Sequence, residues 1–338
     1  MRKILVVGPS WVGDMVMAQS LFMSLKTGGE CGIDVLAPAW SLPILARMPE
    51  VRRGVVMPLG HGRLGLGVRW RLGRELAAER YDQAIVLPGS FKSALAPFFA
   101  RIPQRTGFRG EMRYGLLNDV RPLDRALLPM TVQRFVALGQ PTGVMTATPV
   151  FRVPRLVADA ANQHTLAERF GFDAARPAIA FMPGAEYGPA KQWPPAHYAA
   201  LARLLVARGF QVWVLGSKKD GDAARPIAEG NEGVFDLTGH TELGDAVDLL
   251  ALARAAVTND SGLMHVAAAL DVPLAAIFGS SSPEHTPPLS AKVAIESLRL
   301  SCAPCFERRC PLGHTRCLTD IAPAQVLAAL EPFLVEAY

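Results

Sequence analysis

Three short polar turns carry the residue types that could do chemistry, and each follows a short apolar run. The first is Gly8-Pro9-Ser10-Trp11-Val12-Gly13-Asp14. Its Gly-x4-Gly spacing resembles a phosphate loop, but Asp14-Met15 stands where Lys-Ser/Thr must follow, and a carboxylate there repels a polyphosphate. The dinucleotide fingerprint G-x-G-x-x-G is also missing, which counts against a nicotinamide-linked oxidoreductase. What remains is an acidic residue in the first turn of a helix predicted over about Gly13–Lys26. The helix dipole favours its ionised form there. Such a carboxylate can act as a general base or simply cap the helix.

The second turn, Pro183-Gly-Ala-Glu-Tyr-Gly-Pro-Ala-Lys191-Gln-Trp193-Pro194, contains one cation, Lys191, a plausible partner for a phosphate. The third is Thr258-Asn-Asp-Ser-Gly-Leu-Met-His265, running into an Ala-rich helix. The backbone amides of Ser261, Gly262 and Leu263 at the helix start suit a diphosphate, and Gly262 lets the phosphate approach closely. His265, one turn in, faces the same way as Ser261 and can donate to a phosphate oxygen. Asp260 can cap the helix or bind a sugar hydroxyl. An ordinary capped helix with a buried histidine is the alternative.

The elements that must position these turns alternate along the chain. Strands are predicted at Lys3–Gly8, Ile33–Ala37, Val55–Pro58, Gln83–Pro88, Ala178–Pro183, Gln211–Gly216, Ala255–Asn259 and Leu274–Gly279. Amphipathic helices such as Tyr198–Arg208 and Ala246–Arg254 lie between them. Alternation of this kind predicts an α/β protein with parallel sheets covered on both faces. A helix at Arg125–Leu138 followed by a Pro/Gly/Thr-rich loop to Pro154 marks the junction between two Rossmann-like domains, 1–154 and 155–338. The two are expected to face each other across a cleft, with ligands beyond the carboxyl ends of the strands.

The 338 residues are half hydrophobic and 19% charged, enough for two cores and too apolar for disorder. The apolar run after Met1-Arg2-Lys3 is too short for a signal peptide and no other run reaches a spanning length, so a cytoplasmic location is expected. The net charge of +5 conceals a split. Residues 1–155 hold 21 Lys+Arg against 10 Asp+Glu, or +11, and residues 156–338 hold 14 against 20, or −6. A basic half suits a polyanion: nucleic acid, an anionic membrane surface or a phosphorylated glycolipid. A merely solvated face on the Arg-rich stretch Arg69–Arg80 is the plainer reading.

Together with Leu87-Pro-Gly-Ser-Phe-Lys-Ser-Ala94 and Thr106-Gly-Phe-Arg-Gly-Glu-Met-Arg-Tyr-Gly115, the three turns make the chain resemble the lipopolysaccharide heptosyltransferases of glycosyltransferase family 9, from about residue 1 to 330. The resemblance is to type II more than to types I or III. It implies a GT-B fold, an inverting mechanism, ADP-L-glycero-D-manno-heptose as donor and heptosyl-Kdo-lipid A as acceptor, with no metal or other cofactor required and no nucleic-acid partner. On that resemblance Asp14 is the base and Lys191 offsets charge on the departing ADP. Glu186, Tyr187, Asp220, Asp260, Ser261, Gly262, Leu263 and His265 correspond to the donor site, although Glu186 and Tyr187 stand where type I carries hydroxyl residues. Arg63, Lys92, Arg109 and Arg113 are candidates for gripping acceptor carboxylates and phosphates. The final helix is expected to pack back on the N-terminal domain. A basic face resting on the inner leaflet of the membrane also follows from the charge split. The alternatives are a family 9 transferase with another acceptor and, more remotely, a non-catalytic sugar-nucleotide binder.

Four of the five cysteines crowd one segment, Cys302-x2-Cys305-x4-Cys310-x6-Cys317, with His314 between. Soft ligands at this density are candidates for structural zinc, but the second pair is not spaced as a familiar knuckle, so free thiols and a disulfide stay open. The transfer chemistry requires none of these.

Overall fold

The structure, a computed structural model, describes residues 1–60, 62–141, 143, 147–173 and 175–335. The chain forms two compact units, Met1–Leu156 and Val157–Tyr338, dividing two residues beyond the expected junction. Part of the predicted junction loop (142 and 144–146) lies outside the described residues.

Unit 1 runs β1 (Arg2–Val7), α1 (Val12–Thr27), β2 (Cys31–Ala37), α2 (Leu42–Leu45), β3 (Val51–Val56), α3 (Leu66–Ala77), β4 (Gln83–Val86), α4 (Leu95–Phe99), β5 (Gln104–Phe108), β6 (Asp119–Arg121) and α5 (Thr131–Gly139). Its sheet is parallel, in the order β3-β2-β1-β4-β5-β6. Unit 2 runs α6 (Ala160–Phe170), β7 (Ala178–Met182), α7 (Pro195–Val206), β8 (Gln211–Val214), α8 (Gly221–Ala228), β9 (Val234–Asp236), α9 (Leu243–Leu252), β10 (Ala255–Asn259), α10 (Gly262–Ala269), β11 (Leu274–Ile277), β12 (Val293–Glu296), α11 (Arg316–Thr319) and α12 (Pro323–Val335). Its parallel sheet has the order β12-β11-β10-β7-β8-β9. Counted from each unit's first strand, both follow the 3-2-1-4-5-6 order of a Rossmann sheet.

Central strands are apolar because helices cover both faces: Ile4–Val6 and Ile179–Phe181 are fully buried. β5, β6, β9 and β12 were not foreseen. Three of them are short sheet edges, and β5 carries Gln104, Arg105 and Thr106, so none shows an apolar run of four or more residues. Within unit 1 a polar ladder replaces that run, Gln83 Nε2 donating to Thr106 Oγ1 and Thr106 to Asp119. The helix expected at Arg125–Leu138 starts later, at Thr131. Asp124 accepts from the amides of Ala126 and Leu127 to form a separate turn, and Pro129 then interrupts the chain. The final helix belongs to unit 2. Val326, Leu327 and Leu330 of α12 bury in unit 2's own core beside Leu201 and Tyr198.

One carboxylate lies wholly inside unit 1. Asp34 on β2 accepts from Arg52 Nε at 2.8 Å, Arg53 Nε at 2.9 Å and the Tyr81 hydroxyl at 2.6 Å. Burial alone would raise its pKa, but the hydrogen bonds from Arg52, Tyr81 and Arg53 outweigh it and hold the carboxyl below its usual range. A depressed folded-state pKa contributes stability that is present at neutral pH and lost as pH falls through the carboxylate range. Because both arginines are half-exposed, the loss on Asp34→Asn should be about 2–3 kcal/mol at pH 7 in urea unfolding. The gap from wild type should begin to narrow as pH falls below about 4, the ordinary Asp value, and go on narrowing as pH falls through the lower folded-state pKa; a gap independent of pH would show that the charge on Asp34 contributes nothing.

Candidate active site

In unit 2 the order of strands reverses at β7, with β8 on one side and β10 on the other. Loops leaving the carboxyl ends of two such neighbours diverge and open a crevice for a ligand. The loop after β7 brings Lys191 there and the turn after β10 brings Asp260. Lys191 Nζ lies 2.5 Å from Asp260 Oδ2, with both side chains mostly buried.

Asn259, the last residue of β10, ties the two segments together. Its fully buried side-chain oxygen accepts from the Trp193 amide at 3.0 Å and the Tyr198 hydroxyl at 3.2 Å, and its amide donates to Pro183 O at 2.6 Å. Trp193 is itself anchored, fully buried, by Nε1 donating to Ile321 O at 2.9 Å. Lys191 therefore sits on a loop whose far end is locked into the core two residues later.

Helix α10 begins at this point, with Ser261 extended at its N-cap and Gly262 as the first helical residue. The first-turn amides of such a helix have no partner within it, and this end carries the positive pole of the helix. Ser261 makes no side-chain cap; its hydroxyl lies 3.3 Å from that of Thr258. His265 is buried, and burial pushes its pKa down to about 4, against the pull of Asp260. At neutral pH the imidazole is uncharged, so it can donate one hydrogen bond to a ligand but brings no positive charge.

The other expected donor positions divide. The Tyr187 ring lies 5.0 Å from Lys191 Nζ and 5.2 Å from the Arg308 guanidinium carbon, and its hydroxyl donates to Phe306 O at 2.6 Å. Gly188 beside it has φ 153°, and a Cβ there would stand 2.5 Å from Arg308 O, which also accepts from the Ala190 amide. The cysteine-rich stretch thus backs the Lys191 loop and adds a second cation, Arg308. Sequence reasoning missed it, because nothing local links positions more than a hundred residues apart. Glu186 is exposed and pairs with Lys219 at 2.7 Å. Asp220 accepts from the Ser217 amide and hydroxyl, each at 2.8 Å, and lies so close to Gly184 that a Cβ there would meet it at 2.5 Å. Asp220 thus lies beside the same loop while also closing its own turn.

In unit 1, β1, β4 and β5 are neighbours, so their carboxyl ends deliver the half-buried Asp14 and Lys92 and the exposed Arg109 along one sheet edge. Asp14 lies in the first turn of α1 as expected. Loops 88–93 and 108–114 are knit together: the Phe91 amide donates to Glu111 Oε2 at 2.7 Å, and Gly110 lies against Gly89 O where no side chain would fit. Arg113 departs from expectation. It is 2% exposed, and its guanidinium donates to Pro88 O and Phe108 O, each at 2.6 Å. Those carbonyls engage both terminal nitrogens, and the remaining Nε is buried, so Arg113 holds the two loops in place rather than gripping a ligand. Arg63 is exposed on the loop after β3, away from these three.

Burial raises the pKa of Cys317, and the charges of Cys302, Cys310 and Cys305, all near enough to act on it, raise it further. Cys302, Cys305, Cys310 and Cys317 are free thiols, and among the described residues no three His, Cys, Asp or Glu side chains assemble to hold a metal ion. Two of the candidate ligands are engaged by their own turn. Backbone amides from Leu312 to Thr315 surround Cys310 and lower its pKa, and His314 Nδ1 accepts from the Arg316 amide.

Comparison with known proteins places this geometry. Residues 69–316 match glycosyltransferase family 9 (heptosyltransferase). The chain is 50% identical to lipopolysaccharide heptosyltransferase 2 of Salmonella typhimurium and 49% identical to that of Escherichia coli, over 99% of each chain. The solved structure of E. coli ADP-heptose LPS heptosyltransferase II superposes with a TM-score of 0.90 at 47% identity, covering 99% of both chains. That match assigns the paired Rossmann-like units to the GT-B fold class.

The Asn259 tie makes a prediction that needs no ligand. Asn259→Ala leaves a buried hydroxyl and amide without their acceptor and should cost about 2–4 kcal/mol in urea unfolding. It should also make the 184–192 loop more sensitive to proteolysis. A variant with an unchanged midpoint and an equally resistant loop would remove Asn259 from this role.

Proposed function

The chain belongs to glycosyltransferase family 9, and from that premise we propose that it transfers L-glycero-D-manno-heptose from ADP-heptose to the first heptose of the lipopolysaccharide inner core. The observation that carries the donor half of this reading is the Lys191–Asp260 pair beside the start of α10, at the strand reversal of unit 2. A nucleoside diphosphate brings negative charge, which amide dipoles, an ammonium and a neutral imidazole donor can meet without a metal ion.

In the proposed reaction Asp14 takes the proton from the acceptor hydroxyl. That oxygen bonds to the anomeric carbon as the carbon–oxygen bond to the β-phosphate breaks, and the electron pair leaves with ADP. Attack from the face opposite ADP inverts the anomeric centre. Lys191 offsets the charge that grows on the departing oxygen, Ser261, Gly262 and Leu263 supply amides, and His265 donates one hydrogen bond. Arg308 and Tyr187 hold Lys191 in direction. Lys92 and Arg109 meet acceptor anions, with Arg63 farther along the same unit.

The described residues include no helix long and apolar enough to cross a membrane. We place the protein in the cytoplasm, touching the inner leaflet through its basic unit, because a lipid-anchored acceptor must be reached at a surface.

Transfer of radiolabelled heptose to a truncated core tests the reading. Asp14→Asn should lower kcat by about 10²–10⁴-fold while leaving ADP affinity within twofold of wild type. Lys191→Ala should weaken ADP binding and lower kcat by about 10²–10³-fold. No transfer by wild type to any heptosylated core acceptor would end the proposal.

Lys92→Ala should raise the acceptor KM and leave donor affinity alone, whereas Arg113→Ala should lower stability, because its guanidinium is buried on carbonyls. Equal loss of donor and acceptor affinity in Lys92→Ala would remove it from the acceptor site. ADP affinity should show no inflection between about pH 6 and pH 8 from His265, whose titration lies near 4.

A further inference from the structure

We infer that the inner-leaflet contact is made by one patch of unit 1, formed by the start of α3 and the end of α4, which seats on an anionic bilayer. The inference deepens the membrane contact proposed above and rests on it. Leu64, Leu66 and Trp70 are each about half exposed, and Phe98 is 39% exposed, which is unusual for four large apolar side chains on neighbouring segments. On α3, Leu66, Trp70 and Arg74 stand at i, i+4 and i+8 and so share one line of the helix. Leu72 and Leu76 on the far side are buried, and Gly73, on the flank next to Leu66, lies against Phe99 and the Ala96 carbonyl, so that any side chain at 73 would force α3 and α4 apart. Between the helices lies a cavity of about 440 Å³ lined by Trp70, Arg74, Phe98, Phe99, Arg101 and Arg105.

The charge on this surface is mainly positive, although the exposed Glu75 of α3 stands four residues beyond Arg71. Residues 63–74 and 98–109 hold seven arginines and no Asp or Glu. Two of the seven are structural. Arg69 is buried and donates to Leu64 O at 2.7 Å, fixing the loop that presents Leu64 and Leu66, and Arg105 donates to Leu116 O at 2.6 Å. Arg63, Arg71, Arg74, Arg101 and Arg109 face water. The Arg74 guanidinium lies 6.0 Å from the centre of the Trp70 ring, and that of Arg105 5.7 Å from the Phe98 ring. Rings beside guanidiniums match the headgroup layer of a membrane, where indoles sit at the interface and arginines reach phosphates. A nucleic acid would match the arginines but leave Leu64 and Leu66 in water.

Flotation of the full-length chain with phosphatidylglycerol/phosphatidylethanolamine vesicles tests this, with phosphatidylcholine vesicles as the neutral control. At about 0.1 M salt, where surface charges still act over roughly 10 Å, wild type should rise with the anionic vesicles only. Trp70→Ser combined with Phe98→Ser should weaken vesicle affinity at least about tenfold, and Arg71→Gln combined with Arg74→Gln should weaken it by about fivefold per arginine. ADP affinity should stay that of wild type in both variants, which shows that they are folded. Wild type remaining at the bottom of the gradient overturns the membrane contact itself and this inference with it. Wild type rising together with both variants at equal affinity overturns the location and leaves the contact standing. Single-stranded RNA displacing the vesicles at equal affinity would also overturn it.

Discussion

The Lys191 ammonium and the Asp260 carboxylate meet at 2.5 Å where β7 and β10 end, and both side chains are mostly out of water. Each charge would be costly there alone, since a buried ion without a partner keeps its desolvation penalty and gains nothing in return. The pair is possible because two loops are held at a fixed separation, and Asn259 does this by bonding to both of them. Trp193 and Tyr198 carry the constraint into the core of unit 2, where each is fully buried. Thus the chemistry at the surface of the sheet depends on an uncharged side chain one layer below it. In the proposed reaction the carboxylate also keeps the ammonium from drifting before a diphosphate arrives, so Lys191 is positioned by the fold rather than by its substrate.

The same separation of roles recurs in unit 1. Arg113, Arg69 and Arg105 are cations that serve the backbone: they satisfy carbonyl oxygens that would otherwise be buried without donors. Lys92, Arg109 and Arg63 keep their charge in reach of solvent. A count of basic residues merges these two groups. The net +11 of residues 1–155 therefore overstates what an anion can meet, while leaving its sign intact. The cysteine-rich stretch is a further case of structure taking over a motif. Whatever its thiols do, its backbone at Phe306 and Arg308 braces the loop that carries Lys191.

Much of the architecture was legible because the signals are local. Apolar runs of four to six residues that end in Gly, Pro or Asn marked the central strands, and β10 was predicted to the residue. The turns after β1, β7 and β10 stood out because helix starts are announced by their own residues, as with Asp14 and the Ser261-Gly262 pair. The edge strands β6, β9 and β12 were missed because one side of each is open, so they need no long apolar run. The amphipathic pattern of the final helix states that it packs, not on what.

The sequence by itself determined the α/β class, the alternation of strands and helices, the two-unit division to within two residues and the positions of Asp14, Lys191 and Asp260 at the ends of strands. These follow from side-chain period and turn chemistry, which act between residues a few positions apart. Only the tertiary structure decided that Lys191 bonds to Asp260, that Asn259 joins their loops, that Arg113 is buried and that Arg308 stands beside Tyr187. Each depends on which strands become neighbours and which face is covered. Those are properties of the whole sheet, set by burial of the core and not by any segment that contributes to it.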